Sequence, residues 1–402
     1  MKAANRDFTR AVNQFNILNS IREDGPISRV EIAKKTGQSR ASVTNITALM
    51  IEQGLIREAK NSSAPTRGRR RIMLSLNPEA AYVVGVKISA FQVSFAVVDF
   101  VGNVKSSLIT PCMVSERSEE MVADIIEDGV RICVKDAKLN MKDISGVGLA
   151  VSGFVDTVAG TCHWTPLKTG RSHIRSLVSK RLNQDVYIEN DANSVTVAAQ
   201  WFGEGKGVED FLVVTVEHGI GMGIVIDGKL YRGTGGIGGE FGHMVIIPDG
   251  EPCRCGKRGC IEAYACDGSI LRMALELLER RRKETPNLDT LTINDVTDMA
   301  KQGDAGLKKI FKQGGEILGQ GIAGLIQIFN PEKVIIMGEG VRAGDLLFKP
   351  MRRAVGKYLN KEFSKTEIVV QEWYDHDWAR GTAGLVLGEL YKSPLDKIHR
   401  VG

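Results

Sequence analysis

The chain has 402 residues, 43% hydrophobic and 25% charged, enough to bury several cores and form two or three domains. No stretch approaches the roughly 18 uninterrupted apolar residues of a membrane helix, and the opening MKAANRDFTR lacks the apolar centre of a secretory signal, so a cytoplasmic location without membrane insertion is expected. The net charge of +5 gathers at one end: residues 1–80 hold fourteen Lys and Arg against seven Asp and Glu, which points to a polyanionic partner for that end alone.

Phe8, Val12, Phe15, Leu18 and Ile21 recur at helical spacing until Gly25-Pro26 interrupts them. Ser28-Arg29-Val30-Glu31 is a capping box, because the serine hydroxyl and the glutamate carboxylate can each satisfy an amide left open at a helix start. The helix it opens runs to about Thr36 and stops at Gly37. Ser39 can cap the next helix, in which Val43, Ile46, Leu49 and Met50 face inward while Arg40, Ser42, Thr44 and Asn45 lie toward its exposed start. Two short helices around a tight turn, the second polar at its beginning, form a helix-turn-helix that sends its second helix into a major groove.

IREAKNSSAPTRGRRRIMLSL then reads as a winged hairpin, with Arg67, Arg69, Arg70 and Arg71 able to contact phosphates or enter a minor groove. The expected DNA contacts are therefore Ser39, Arg40, Ser42, Thr44, Asn45 and these four arginines. A three-helix bundle using a basic hairpin for protein contacts is the plainer alternative. The capping box, turn glycine, polar helix start and local charge agree on DNA.

Beyond residue 80, AYVVGVKISA, FQVSFAVVDF and VKSSLIT read as three strands, with Gly102-Asn103 as a hairpin turn, followed by a helix at about 118–137. ISGVGLAVSGFVD and VYIEND are further strands, and ANSVTVAAQWFGEG is a helix. FLVVTVEHGIGMGIVIDGKLYRG gives two strands, GGEILGQGIAGLIQIFN a helix, KVIIMGEG a strand and RGTAGLVLGELY a final helix. Strands alternating with helices imply an α/β body in two lobes, with a ligand cleft expected between them. The expected division is 1–78 for the DNA-binding domain, 79–190 plus about 378–402 for a smaller lobe, and 191–377 for a larger lobe.

The larger lobe contains GEFGHMVIIPDGEPCRCGKRGCIE, hence His243, Cys253, Cys255 and Cys260. One imidazole and three thiolates suit tetrahedral zinc, and four protein ligands close the shell, so a structural Zn2+ is expected. Unrelated buried thiols are the alternative, disfavoured by three cysteines within eight residues. The ion would fix the loop carrying Glu240, His243 and Glu262, groups able to meet sugar hydroxyls.

On these motifs the chain resembles the ROK family (repressors, open reading frames, kinases), specifically the transcriptional-repressor branch with an N-terminal winged helix-turn-helix. GEFGH with CRCGKRGCIE carries most of the resemblance, and IENDAN the next share. It implies a two-lobed α/β core of the actin-like ATPase and sugar-kinase (ribonuclease H-like) type, preceded by an all-α winged helix-turn-helix domain. It also implies that Asp191 occupies the position of a kinase's catalytic base, and that Gly153, Asn190, Asp191, Glu240, His243 and Glu262 occupy sugar-contacting positions, with His243 both binding zinc and facing the sugar.

The nucleotide side departs from the family's kinases. Where they have Asp-x-Gly-Gly-Thr, this chain has GVKISAFQ, with Lys87, Ser89 and Ala90 among the replacements. Where they have Gly-Thr-Gly-x-Gly, it has EHGIGMG, and Glu217 would place a carboxylate near phosphate. MGEGV sets Glu339 between two glycines. Phosphoryl transfer depends on positioning and charge neutralisation, so the expected protein is no enzyme, and Asp191 is a vestigial base. It is expected to be a sugar-responsive regulator, a repressor of carbohydrate-utilisation genes, that binds operator DNA as a homodimer or higher homo-oligomer and senses a sugar in a zinc-braced cleft. A ROK-type sugar kinase, or a kinase-regulator hybrid, is the alternative. Control by a protein partner from sugar transport is a third reading.

Overall fold

The computed structural model describes residues 2–59, 72–165, 168–281, 290–363, 365–374 and 376–391. They form two compact units, Met1–Asn190 with Trp378–Gly402, and Asp191–Asp377.

The first unit begins with α1 (Lys2–Asp24), β1 (Ile27–Ser28), α2 (Arg29–Thr36), α3 (Arg40–Glu52), β2 (Ile56–Glu58) and β3 (Met73–Leu76). The capping box forms: the Ser28 N–H donates to Glu31 Oε2 at 2.9 Å and the Glu31 N–H to Ser28 Oγ at 3.4 Å. Gly37 ends α2 at φ +68°, a left-handed conformation that costs glycine little. Ser39 Oγ accepts from the Ser42 N–H at 3.2 Å and caps α3. Val43, Ile46 and Met50 of α3 are buried, as are Ile17, Ile21, Ile32 and Leu74, whereas Leu49 is half-buried. A small antiparallel sheet of order β1-β3-β2 accompanies the three helices. The two-residue β1 has no signal of its own; it exists because Ile27 can pair with Leu74. The wing arginines Arg67, Arg69, Arg70 and Arg71 lie outside the described residues.

The remainder of this unit contains β4 (Tyr82–Ile88), β5 (Gln92–Asp99), β6 (Val104–Pro111), α4 (Glu119–Asp136), β7 (Ile144–Val151), β8 (Phe154–Asp156), β9 (Thr161–Thr165), β10 (Lys168–Ser172), α5 (Ile174–Leu182) and β11 (Val186–Asn190). Its main sheet runs β11-β7-β4-β5-β6, with β11, β7 and β4 parallel and the rest antiparallel. Alternation sends Val84, Val86, Ile88, Leu149 and Val151 to one face, in one core with Val122, Ile126, Val130 and Cys133 of α4. Gly129 leaves room on α4 for the Phe95 ring.

The second unit starts with α6 (Asp191–Phe202), β12 (Phe211–Val216), β13 (Ile220–Ile226) and β14 (Lys229–Tyr231). It continues through α7 (Glu262–Ala265), α8 (Asp267–Arg281), α9 (Ile293–Gln302), α10 (Ala305–Phe329), β15 (Lys333–Met337), α11 (Asp345–Tyr358) and β16 (Glu367–Val370). The sheet order is β14-β13-β12-β15-β16. Gly315 and Gly319 of α10 lie against the Leu347 and Met351 carbonyls of α11, an approach that any larger residue would prevent. The last element among the described residues is α12 (Asp377–Leu390), of which Trp378 onward belongs to the first unit. Among the described residues, no helix is long and apolar enough to cross a membrane.

Candidate metal centre and ligand site

A single 3-10 turn, Phe241–His243, presents His243, and the following loop folds back on itself. Val245 pairs with Cys260 and Pro252 with Arg258 in isolated antiparallel bridges. Gly256 and Gly259 sit at φ +86° and +76°, and a β-carbon on Gly259 would strike the Ile247 carbonyl oxygen. This tight folding brings the ligand atoms of His243, Cys253, Cys255 and Cys260 within 4.8 Å of one another.

The separations fit a metal shell. His243 Nδ1 lies 3.6 Å from Cys253 Sγ, and Cys255 Sγ 3.8 Å from Cys260 Sγ. Two ligands of one tetrahedral ion, with bonds of about 2.0–2.3 Å, stand about 3.6 Å apart for N and S and about 3.8 Å for two S atoms. Burial pushes the Cys253 thiol up to about 12, and a cation bound in the cluster would favour its thiolate. The cluster can hold a metal ion.

Glu262 opens α7 and ties this loop to the sheet. Its carboxylate is buried, takes the Arg254 guanidinium through Nε at 2.7 Å and Nη2 at 3.2 Å, and accepts the Ile220 N–H at 2.9 Å. Its Oε1 also stands 3.9 Å from both Cys253 Sγ and His243 Nδ1. Arg254, flanked by two cysteines of the cluster, is thereby part of the site, although sequence reasoning singled out only its neighbours. The position between the cysteines of Cys-x-Cys was its one available signal.

Asp191 is buried at the first turn of α6, where its Oδ1 accepts the Ala192 N–H at 2.9 Å and its charge faces the positive end of the helix. The Glu240 carboxyl, on a residue exposed at its surface, is held above the usual range by loss of water, then by the negative charges of Glu262 and Asp191. Asp191, Glu240, His243 and Glu262 therefore share one electrostatic neighbourhood in the second unit. In the first unit, Asn190 ends β11 beside Val151 of β7, and its Nδ2 donates to the Gly153 carbonyl at 3.1 Å. Gly153 takes φ +121° to present that carbonyl.

The segments GVKISAFQ, EHGIGMG and MGEGV make hydrogen bonds within the chain. In the β4–β5 turn the Ser89 N–H and hydroxyl both donate to the Gln92 carbonyl, at 3.0 and 2.9 Å. Between β12 and β13 the Glu217 N–H donates to the Gly219 carbonyl at 2.9 Å, and Gly219 lies directly under the Arg254–Glu262 pair. At the start of α8, Arg342 donates to Asp267 Oδ2 and to the Glu339 carbonyl. Burial pushes the Asp267 carboxyl up to about 7, against the pull of Arg342.

Residues 11–57 match the winged helix-turn-helix DNA-binding profile, and residues 83–389 match that of the ROK family. The chain is 30% identical over 396 residues to the xylose repressor of Caldicellulosiruptor bescii, an alignment covering 97% of this chain and 99% of that one. It is 28% identical over 383 residues to the DNA-binding transcriptional dual regulator NagC of Escherichia coli K12, covering 95% and 94%. A solved ROK family transcriptional regulator, homologous to the Escherichia coli MLC protein, superposes with a TM-score of 0.79 at 24% identity over 98% of this chain and 100% of that one. A ROK family glucokinase from Streptomyces griseus, in complex with glucose and AMPPNP, gives 0.68 at 26% identity over 76% and 99%. The fold is therefore an N-terminal winged helix-turn-helix joined to an α/β body of the actin-like sugar-kinase type. The chain belongs to the ROK family.

Proposed function

We propose that this protein is a sugar-responsive transcriptional repressor of carbohydrate-utilisation genes, in which a kinase-type body serves as the sensor for a DNA-binding head. The observation that carries this reading is similarity along almost the whole chain, head included, to proteins named as repressors for xylose and N-acetylglucosamine. The exposed start of α3 supports it: Arg40, Thr44 and Asn45 are exposed beside the Ser39 cap, with Ser42 half-buried, where a major groove would meet them.

Asp191, Glu240, His243 and Glu262 read the sugar hydroxyls in this proposal; Asn190 and Gly153 are the other two positions of the family's sugar-contacting set. His243, Cys253, Cys255 and Cys260 hold zinc, which supplies positive charge and a fixed geometry to the loop and needs no open coordination position. Arg254 and Glu262 pass that rigidity to the Glu217–Gly219 turn. A homodimer would present two heads to a pseudo-palindromic operator, and the sugar acts by binding one arrangement of the heads better than the other.

Retention of the buried Asp191 keeps a sugar-kinase activity as the second reading. A thermal-shift screen of neutral, N-acetylated and phosphorylated sugars, with Mg-ATP as control, separates the two. One sugar class is expected to raise Tm by several degrees while Mg-ATP leaves it in place; sugar-dependent ATP turnover would overturn the sensor reading. For the wing, replacing Arg69 and Arg70 by Ala is expected to weaken binding to all DNA sequences and to reduce the slope of log K against log salt by about 2, roughly 0.9 per lost phosphate contact. An unchanged slope would remove those arginines from the interface.

A further inference from the structure

The head and the sheet of the first unit meet at Asn77-Pro78. The Asn77 N–H donates to the Leu55 carbonyl at 3.0 Å, its Nδ2 to the Gly54 carbonyl at 2.7 Å, and its Oδ1 accepts the Glu79 N–H at 3.3 Å. Gly54 and Leu55 in turn close the end of α3, donating to the Ile51 and Met50 carbonyls at 3.0 and 2.9 Å. On the body side, the Pro78 carbonyl accepts the Phe100 N–H at 3.0 Å and the Phe100 carbonyl accepts the Tyr391 hydroxyl at 3.1 Å. The Phe100 and Tyr391 rings stack with centroids 4.6 Å apart, and both residues are buried.

Tyr391 follows the last turn of α12. At the first turn, the Trp378 ring receives Lys87 Nζ at 3.3 Å from its centroid. Lys87 belongs to the cross-strand row Lys87–Ala150–Glu189, so only an alanine separates two buried residues of opposite charge. Glu189 Oε1 accepts the Asn190 N–H at 3.0 Å. Between its ends α12 has no slack: β-carbons on Gly85 and Gly148 would strike the Ala379 and Thr382 carbonyls, so the helix backbone rests on the sheet itself.

We infer that α12 is a coupling rod that joins Asn190 to the recognition helix α3, with Asn77 as the positioning residue that fixes α3 to the body. A flexible linker at the same place would leave the head indifferent to events in the sheet. Here Asn190, Glu189, Lys87 and Trp378 are linked by a hydrogen bond, a shared strand row and a ring contact, α12 itself carries Trp378 to Tyr391, and Tyr391 reaches Asn77 through its stacking on Phe100 and the Phe100 N–H bond to the Pro78 carbonyl. The use of the rod for induction rests on the sugar-sensor reading, whereas its existence does not.

Amide exchange on the sugar-free, DNA-free full chain tests the rod alone. Trp378→Leu is expected to speed exchange at Phe100, Asn77 and Leu55 at least fivefold over the parent, with α10 unchanged. Faster exchange confined to residues 379–383, with Leu55 and Asn77 at parent rates, would overturn the inference. Should Trp378→Leu fail to fold, Trp378→Phe, which keeps a ring under Lys87 but weakens its hold on the cation, is read by the same amides against the same outcomes. A second arm measures binding of a DNA fragment selected with the parent, with and without D-xylose or N-acetylglucosamine. Asn77→Ala is expected to keep sugar affinity within twofold and to lose at least fivefold in the sugar-dependent change of DNA affinity, and an undiminished change overturns the role of Asn77. A parent that binds no sugar while the exchange coupling holds would remove the sensor reading and leave the rod standing.

Discussion

Cys255→Ser, or extraction of the metal with a strong chelator, is expected to lower sugar affinity by about 10–100-fold, the usual cost of disturbing the groups that orient a site, while DNA affinity of the sugar-free protein stays within about threefold. Cys255 is the exposed member of the proposed zinc cluster, so its replacement would open the shell without emptying a packed core. The consequence travels inward. Once the shell opens, Cys253 and Cys260 would have no common centre, and the loop from Val245 to Cys260 would rest on its two bridges, its backbone bonds, and the contacts of Glu251 with Tyr264 and Arg272. The Arg254 fork on Glu262 is then held by a loose loop, and Glu262 is the carboxylate that orients the Ile220 N–H and stands 3.9 Å from His243 Nδ1. The head shares no element with this unit, which is why DNA affinity should survive. Metal analysis paired with titration calorimetry checks it; a metal-free protein with parental sugar affinity would show that the cluster braces nothing.

What was legible in the sequence was local. Ser28 and Glu31 lie three residues apart and satisfy each other's amides, so their pattern and their hydrogen bonds are the same fact. Cys253, Cys255 and Cys260 were visible for the same reason, and the apolar runs of β4, β5 and β7 with the alternation of β6 give their strands directly. Contacts between distant residues left no such trace. Arg342 and Asp267 are 75 positions apart, and nothing near either announces the other. Lys87 and Glu189 face each other across Ala150 only because two parallel pairings fix the register, which no single strand encodes. Lys87 was legible as a departure from the Asp-x-Gly-Gly-Thr loop, but its partner Trp378 was not. Asn77 carries no local signal, because the carbonyls it holds become available only once α3 has ended.

The same distinction limits what Asp191 reveals alone. Beside Asn190 it has the look of a catalytic base, and its setting at the start of α6 would serve one. What separates base from sensor is whether ATP is bound and oriented as the phosphoryl donor, and the proposal that it is not rests on the replaced glycine loops, where Ser89, the Arg254–Glu262 pair and Arg342 with Asp267 make bonds within the chain. A carboxylate without positioned ATP still accepts a hydrogen bond from a sugar hydroxyl, and in a buried place that contact discriminates strongly.

Asp191→Asn is therefore expected to reduce sugar affinity by about 10–100-fold, from the roughly 1.5–3 kcal/mol of a hydrogen bond to a charged group, and to leave DNA affinity of the sugar-free protein unchanged. Fold damage is an inadequate explanation for such a loss, because Asn is as good as Asp at a helix start and the substitution keeps the shape, with a stability change of about 1 kcal/mol or less. The electrostatics supply a second readout. Glu240 is held above its ordinary range first by burial and then by Glu262 and Asp191, so removing the Asp191 charge should let the Glu240 carboxyl ionise at lower pH. If Glu240 accepts from the sugar as a carboxylate, the remaining sugar affinity of the variant should persist to lower pH than that of the parent, since binding that needs an ionised acid is lost as pH falls through its pKa. Calorimetry across that range, with fluorescence anisotropy on a bound DNA fragment, measures both effects. Loss of DNA binding together with an undiminished sugar response would sink the sensing role, and an unshifted acid limb would separate Glu240 from Asp191.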